Sequence, residues 1–330
     1  AFGYNSLGKV TEAQDEAKKA IMLCRDRIRL EQNASVAYYD RALAYEVLQD
    51  WESALADYQA AIEKEPDLFI SHIGVIRMHL VLDQAPEALG AAEEVIKLAE
   101  SRGANPAWAY LYLGYAYALD NNPSEARFAY EKAASLAPQV DWIHFLAGQF
   151  YSSTGDTQDL LVAEREYKAM IEVSSDPAWA HSTLADFYVK HYRLKEAVAE
   201  YRAALQINRE AAGLWIALAD VFTQLKQPID AREAYDRAVE LEPSNFYAQF
   251  LYGNFLFDQG ELEDAIRRWE TAHQINPRHC GLLLNIGRAY ELLGDREQAE
   301  ALYHVALSDK VELNQECQTE AMMRLGIPTP

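Results

Sequence analysis

The side chains best suited to chemistry in this sequence are its eight histidines and its surplus of carboxylates. Three histidines, His72, His144 and His181, fall at one position, the fourth, of a pattern that recurs along the chain. A regular ladder of imidazoles invites a metal, but distance argues against it. Repeated helices stand about 10 Å apart, whereas imidazoles sharing a zinc ion must each bring a nitrogen to about 2 Å from it. These histidines are therefore expected to pack at helix edges, with no metal and no other cofactor. Asp57, Glu63, Asp186 and Asp220 are acids or bases by type. With 51 Asp and Glu against 30 Lys and Arg, a solvated acidic face accounts for them, and none stands out for general acid–base work. No Gly-rich phosphate loop, His-Glu-x-x-His or Gly-x-Ser-x-Gly motif occurs. Most of the 20 tyrosines sit at large-residue positions of the recurring pattern. They read as core, and catalysis by this chain is not expected.

The formal net charge is −21, and it accrues almost wholly after residue 31. Such a field repels phosphate backbones, which argues against sequence-independent nucleic-acid binding and for a neutral or basic partner. No run approaches the length of apolar chain that crosses a bilayer, so no direct membrane insertion is expected. Cys24, Cys280 and Cys317 form no short-spaced pair. The odd count argues against a disulfide framework or zinc knuckle and favours a reducing, cytoplasmic setting.

The elements that must position any site follow from the recurring pattern. From Ser35 the chain places Tyr38, Ala42, Tyr45, Trp51, Ala54, Tyr58, Ala61 and Pro66 at helical spacing in two blocks. The order returns from Ala107 with Tyr110, Gly114, Tyr117, Ala126, Tyr130, Ala133 and Pro138. It returns from Phe246 with Tyr252, Gly253, Gly260, Ala265, Trp269, Ala272 and Pro277, and again from Cys280. This resembles the tetratricopeptide repeat. The resemblance implies an all-α, right-handed superhelical solenoid of antiparallel helix hairpins. Small residues such as Gly114, Gly148, Ala185, Ala219, Gly253 and Gly287 belong where the helices of a hairpin approach closely. Pro86, Pro123 and Pro228 belong near the starts of second helices, and Pro66, Pro138, Pro243 and Pro277 after their ends.

The expected organisation is a partial first repeat over 1–34, repeats over 35–68 and 69–106, six further repeats over 107–313, and a capping helix and tail over 314–330. Ala1, Gly3, Tyr4 and Gly8 match the middle of a first helix and its turn, so the chain is expected to begin inside a repeat. About four extra residues near Gly103–Pro106 and about three within Asp156–Ala163 depart from the repeat length of 34. The first is the best candidate for a joint between sub-modules, against the plainer reading of a longer turn.

The resemblance brings two recognition schemes of the family into question. A carboxylate clamp would match Asn254 and Asn285, but its lysines and arginine fall on Phe250, Gln315 and Thr319. A peptide-binding asparagine ladder would need Asn at a position that here reads Asp40, Gly74, Tyr112, Leu146, Thr183, Ala217, Leu251 and Asn285. Neither scheme holds. The resemblance instead implies an inner groove lined by first helices, with Trp108, Trp142, Trp179 and Tyr247 at its second position. Tyr39, Leu111, Phe145, Ile216 and Phe250 fall at its fifth, and Tyr115, Asp186, Asp220 and Asn254 at its ninth. Aromatics in consecutive repeats offer anchor pockets for a protein or peptide partner with an apolar or amphipathic segment, and the aspartates suit basic residues on it. The expected role is a non-catalytic scaffold or adaptor. The alternatives are a regulatory or targeting region of a larger enzyme, and a structural subunit of a stable assembly or homo-oligomer.

Overall fold

The computed structural model describes residues 7–31, 33–308 and 315–328, and every regular element among them is an α-helix. Helix α1 covers Leu7–Leu30. Eight hairpins follow: α2 Ser35–Val47 with α3 Trp51–Lys64, α4 Phe69–Val81 with α5 Ala85–Arg102, α6 Ala107–Leu119 with α7 Pro123–Leu136, and α8 Asp141–Ser153 with α9 Thr157–Val173. The remaining four are α10 Pro177–Lys190 with α11 Leu194–Ile207, α12 Ala212–Gln224 with α13 Pro228–Leu241, α14 Phe246–Asp258 with α15 Leu262–Ile275, and α16 Cys280–Leu293 with α17 Arg296–Ala306. Helix α18, Gln315–Arg324, closes the described chain. First helices begin at Ser35, Phe69, Ala107, Asp141, Pro177, Ala212, Phe246 and Cys280.

Local chemistry explains the boundaries. Asp50, Asp156 and Asp295 precede second helices and accept hydrogen bonds from the backbone N–H of Ser53, of Gln158 and Asp159, and of Gln298, satisfying donors that a helix start leaves free. Pro123 and Pro228 open α7 and α13, where a missing N–H costs little. Inside each hairpin a small residue of the first helix lies under a ring of the second. A Cβ on Gly114 would fall 3.0 Å from the Tyr130 ring, and one on Gly148 2.8 Å from the Tyr167 ring. The buried rings that fill the hairpins therefore come from second helices as well as from Tyr151 and Tyr188 of the first.

The hairpins fall into two compact units, Ala1–Ser174 and Ser175–Pro330. In the first unit α4 touches α6 and α6 touches α8, and in the second α12 touches α14, whereas neighbouring second helices meet at most marginally. First helices crowd one side and second helices spread over the other, so each unit has a concave inner face and a convex outer one.

Three expectations are corrected. The two insertions neither lengthen a turn nor mark the boundary between units: they extend α5 to 18 residues and α9 to 17, against 14 in α3, α7, α11, α13 and α15. Four residues make about one helical turn, so the apolar face resumes in phase. At the start, Gly8 lies within α1 rather than in a turn, while Ala1, Gly3 and Tyr4 fall outside the described residues. Finally, Cys280 and Cys317 form a disulfide with their Cα atoms 6.2 Å apart. Their separation of 37 places them on neighbouring layers, because α18 packs beside α16 as the first helix of a further repeat would. The bridge removes the cysteine-based ground for a reducing, cytoplasmic setting. Cys24 stays free and buried. Gly326, at φ +69°, follows the end of α18. Among the described residues no helix is long and apolar enough to cross a membrane.

Candidate functional site

The inner face of the first unit holds a cavity of about 620 Å³. Helix α2 supplies Tyr39, α4 supplies Phe69, Ile70, Ile73 and Arg77, α6 supplies Trp108 and Tyr112, and α8 supplies Trp142. The remaining wall comes from Val95 and Ala99 of α5 and from Ala104, Asn105 and Pro106 in the link to α6. The insertion in this repeat thus builds one side of the cavity. Trp108 is 39% exposed and Trp142 36%. Each is braced from behind, Trp108 by the Tyr112 ring at 6.4 Å and Trp142 by the Phe145 ring at 4.9 Å. Tyr39 leans on Tyr58 at 5.8 Å. Large rings that are open on one side and held on the other are preformed anchor surfaces.

One cation interrupts this apolar wall. Arg77 donates to Glu46, and Glu46 also accepts from the Tyr58 hydroxyl. Neither Glu46 nor Tyr58 lines the cavity, so the wall presents the guanidinium and the carboxylate lies behind it. Burial works to lower the Arg77 pKa, but the Glu46 charge and nearby tyrosine hydroxyls outweigh it and hold the value above the ordinary one. Burial also raises the pKa of Tyr112, which stays a neutral donor or acceptor. Asn105 is already engaged: its side chain accepts from the Ala107 N–H at 2.9 Å and donates to the Leu136 carbonyl at 2.9 Å.

In the second unit the inner face is more polar. Asp186 is exposed at its rim, yet the protein packed around its other sides pushes its pKa up; a hydrogen bond donated by Tyr201 works the other way. Asp220 accepts from Gln224 at 2.8 Å. Asn254 accepts from the Trp269 indole at 3.1 Å and from Asn285 at 3.2 Å. Phe250 stacks on Phe246 at 5.8 Å, and Tyr247 is 63% exposed. Trp179 is half-buried. Tyr115, in the first unit, is exposed. Two expected groove residues are corrected: Leu111 and Ile216 are buried and offer no surface, because the fifth position turns between packed helices at those repeats.

The structure brings Tyr39, Trp108 and Trp142 to one cavity and adds Arg77, which sequence reasoning missed. The available signal was an arginine at the ninth position of the repeat that carries the longer insertion. The histidines have a structural task. His72 and His144 share Nε2 hydrogen bonds with the carbonyls of Pro66 and Pro138, at 2.8 and 2.9 Å. Trp215 and Gln249, at the same repeat position, donate to the carbonyls of Arg209 and Pro243, each at 2.9 Å. In all four the acceptor lies six residues back, so the side chain braces the link from the preceding hairpin. His144 Nδ1 also meets Glu166 at 2.7 Å, and His181 Nδ1 meets Glu200 at 2.7 Å. No group of three or more His, Cys, Asp or Glu among the described residues is placed to hold a metal ion.

Family models of the tetratricopeptide repeat match residues 35–68, 109–140, 216–279 and 256–312. Superkiller protein 3 of Schizosaccharomyces pombe is 22% identical over 216 residues, which cover 63% of this chain and 15% of that protein. Protein O-mannosyl-transferase TMTC3 of Homo sapiens is 27% identical over 214 residues, covering 58% of this chain and 23% of that protein. The chain therefore spans less than a quarter of the length of either relative. Among solved structures, Pseudomonas aeruginosa PilF aligns with a TM-score of 0.46 at 21% identity, over 65% of this chain and 97% of that one. YrrB, described as a TPR protein with an unusual peptide-binding site, aligns at 0.44 and 25% identity, over 60% and 96%.

Proposed function

The chain belongs to the tetratricopeptide-repeat family, and on that premise we propose that it is a non-catalytic scaffold whose inner face holds a segment of a partner protein. The observation that carries this reading is the cavity of about 620 Å³ walled by Tyr39, Trp108 and Trp142. Its volume suits one or two large side chains. Its rings are already braced, so little order has to be gained on binding. An apolar side chain of the partner seats between Trp108 and Trp142, and Arg77 takes a backbone carbonyl of the bound segment. In the second unit Asp186 and Asp220 receive basic residues of the partner.

The test is a selection of binders from a random peptide library on the wild-type protein, followed by titration of one selected peptide against Trp108→Ala and Trp142→Ala. Each substitution should weaken binding at least tenfold, the loss typical of a central aromatic anchor, with the helical circular dichroism unchanged. Equal affinity for wild type and both variants would remove the cavity from the binding surface. A second reading is a targeting region attached to a catalytic domain. It draws on the relative named as an O-mannosyl-transferase, of which the match spans 23%, and a longer sequence would decide it.

A further inference from the structure

A different surface of the second unit departs from the acidic character of the chain. Between α11 and α13, over a floor formed by α12, lies a groove of about 500 Å³. Arg202 of α11, Arg209 of the following link and Arg237 of α13 line it, together with Trp215 and Phe222 of α12. Two carboxylates, Asp230 and Glu233, also reach it. Three arginines against two acids reverses a chain-wide balance of 30 basic to 51 acidic residues. Being formed between second helices, the groove opens on the convex face of the second unit.

The arginines are arranged rather than scattered. The Arg202 guanidinium stacks over the Phe222 ring, 5.5 Å from its centroid, which leaves the edge of the fork free. The Trp215 indole donates to the Arg209 carbonyl at 2.9 Å, fixing the ring and the backbone that carries Arg209. Among the described residues Arg237 has an exposed ion pair with Glu240 at 3.0 Å, whereas Arg202 and Arg209 have none. Two unpaired guanidinium forks in a protein rich in carboxylates are sites for carboxylates from elsewhere. Beside the groove a second cavity of about 570 Å³ shares Trp215, Glu233 and Arg237 and adds Arg232, Asp236, Glu240 and Ile229, the last of which is 82% exposed. Within this mixed-charge cavity Ile229 and Trp215 supply the apolar surface next to the three arginines.

We propose that this outer groove docks an acidic, amphipathic segment of a partner protein. Its carboxylates meet Arg202, Arg209 and Arg237, and an apolar side chain lies against Trp215 and Ile229. The negative field that disfavours anions over most of the chain is locally offset by the three arginines, and a segment with a few carboxylates sets less charge against Asp230 and Glu233 than the continuous phosphates of a nucleic acid would.

The test uses a fluorescein-labelled helical peptide with Glu and Asp on one face and Leu and Phe on the other, and a matched peptide carrying Gln and Asn instead. Fluorescence anisotropy should show the acidic peptide binding about tenfold more tightly than its amide counterpart, with the preference shrinking as salt rises. Arg202→Ala with Arg209→Ala should abolish that preference. Arg202→Lys with Arg209→Lys, which keeps charge but loses the fork, should fall between, and Trp108→Ala should change nothing. Circular dichroism of each variant guards against unfolding. Equal binding of the two peptides, insensitivity to the double alanine variant, or tighter binding of an oligothymidylate through the same arginines would each overturn the proposal.

Discussion

At the scale of single residues, the most informative position is the fourth of each repeat. His144 gives its Nε2 proton to the Pro138 carbonyl, so the bond from Nδ1 to the Glu166 carboxylate requires a second proton and an imidazolium. Burial, the largest single influence, pushes the His144 pKa down, but the bonds to Glu166 and Pro138 and the charges of Glu166 and Asp141 together hold it above the ordinary value of about 6.5. Glu166 is held below its ordinary value: burial pushes it up, and His144 and Arg165 more than offset that. The histidine's contribution to stability is therefore complete below about pH 6.5 and is lost as pH rises through its raised folded value. The glutamate's share is present above about pH 4.3 and is lost as pH falls through its lowered value.

His144→Gln retains an N–H for the Pro138 carbonyl, as Gln249 does for Pro243, but cannot titrate. In urea unfolding, the stability gap between wild type and this variant should narrow from pH 6 to pH 9, approximate bounds set around the histidine range. A gap that stays constant over that range would rule out the imidazolium. His144→Ala removes the brace and should cost about 1–3 kcal/mol. Sequence spacing identified the shared position of His72 and His144 and rejected a metal for them. It did not reveal the brace, because the acceptor is a backbone carbonyl whose direction depends on how the preceding helix ends.

At the scale of the helix and its turn, residues in the left-handed region join the two helices of each hairpin. Gly155, Gly260 and Gly294 occupy it at φ +76°, +81° and +86°, but Gln49, Asp83, Asn121, Tyr192 and Lys226 occupy it with side chains. Tyr192, at φ +57° and 85% exposed, has no burial to offset that strain. Tyr192→Gly should therefore stabilise the second unit by about 0.5–1 kcal/mol, the strain relief exceeding the added freedom of the unfolded chain. A lowered midpoint in chemical denaturation would contradict this. The pattern of large and small residues was sufficient to locate first helices such as α6, α14 and α16, because it reflects contacts that recur along the array. The consequence of the insertion at Gly103–Pro106 was not readable. Four residues suit either a longer loop or one more helical turn, and only packing shows that the extra turn of α5 walls the cavity beside Trp108. For the same reason Leu111 and Phe145, equivalent in register, differ in exposure.

At the scale of the whole molecule, each hairpin leans chiefly on its neighbours, and stability is distributed along the array. A local change should therefore have a local effect. Helix α18 is secured to α16 by Cys280–Cys317, by an ion pair of Arg324 with Glu291 at 2.8 Å, and by a shared apolar cluster containing Leu283, Leu284 and Ala321. Closing a loop of this length lowers the entropy of the unfolded chain by an amount worth up to about 4 kcal/mol. Cys317→Ser should accelerate amide hydrogen exchange in α16, α17 and α18 and leave α4 to α8 unchanged. Acceleration throughout the first unit would show that the array unfolds as one cooperative body instead.

The bridge also sets how the chain transmits load. If the protein is held at its start and pulled from its last residues, tension passes from Cys317 through sulfur to Cys280, the first residue of α16, and the chain between them, with the rest of α16 and all of α17, remains slack. A separation of 37 residues corresponds to roughly 120–130 Å of contour, which stays out of the force–extension record until a reductant is added.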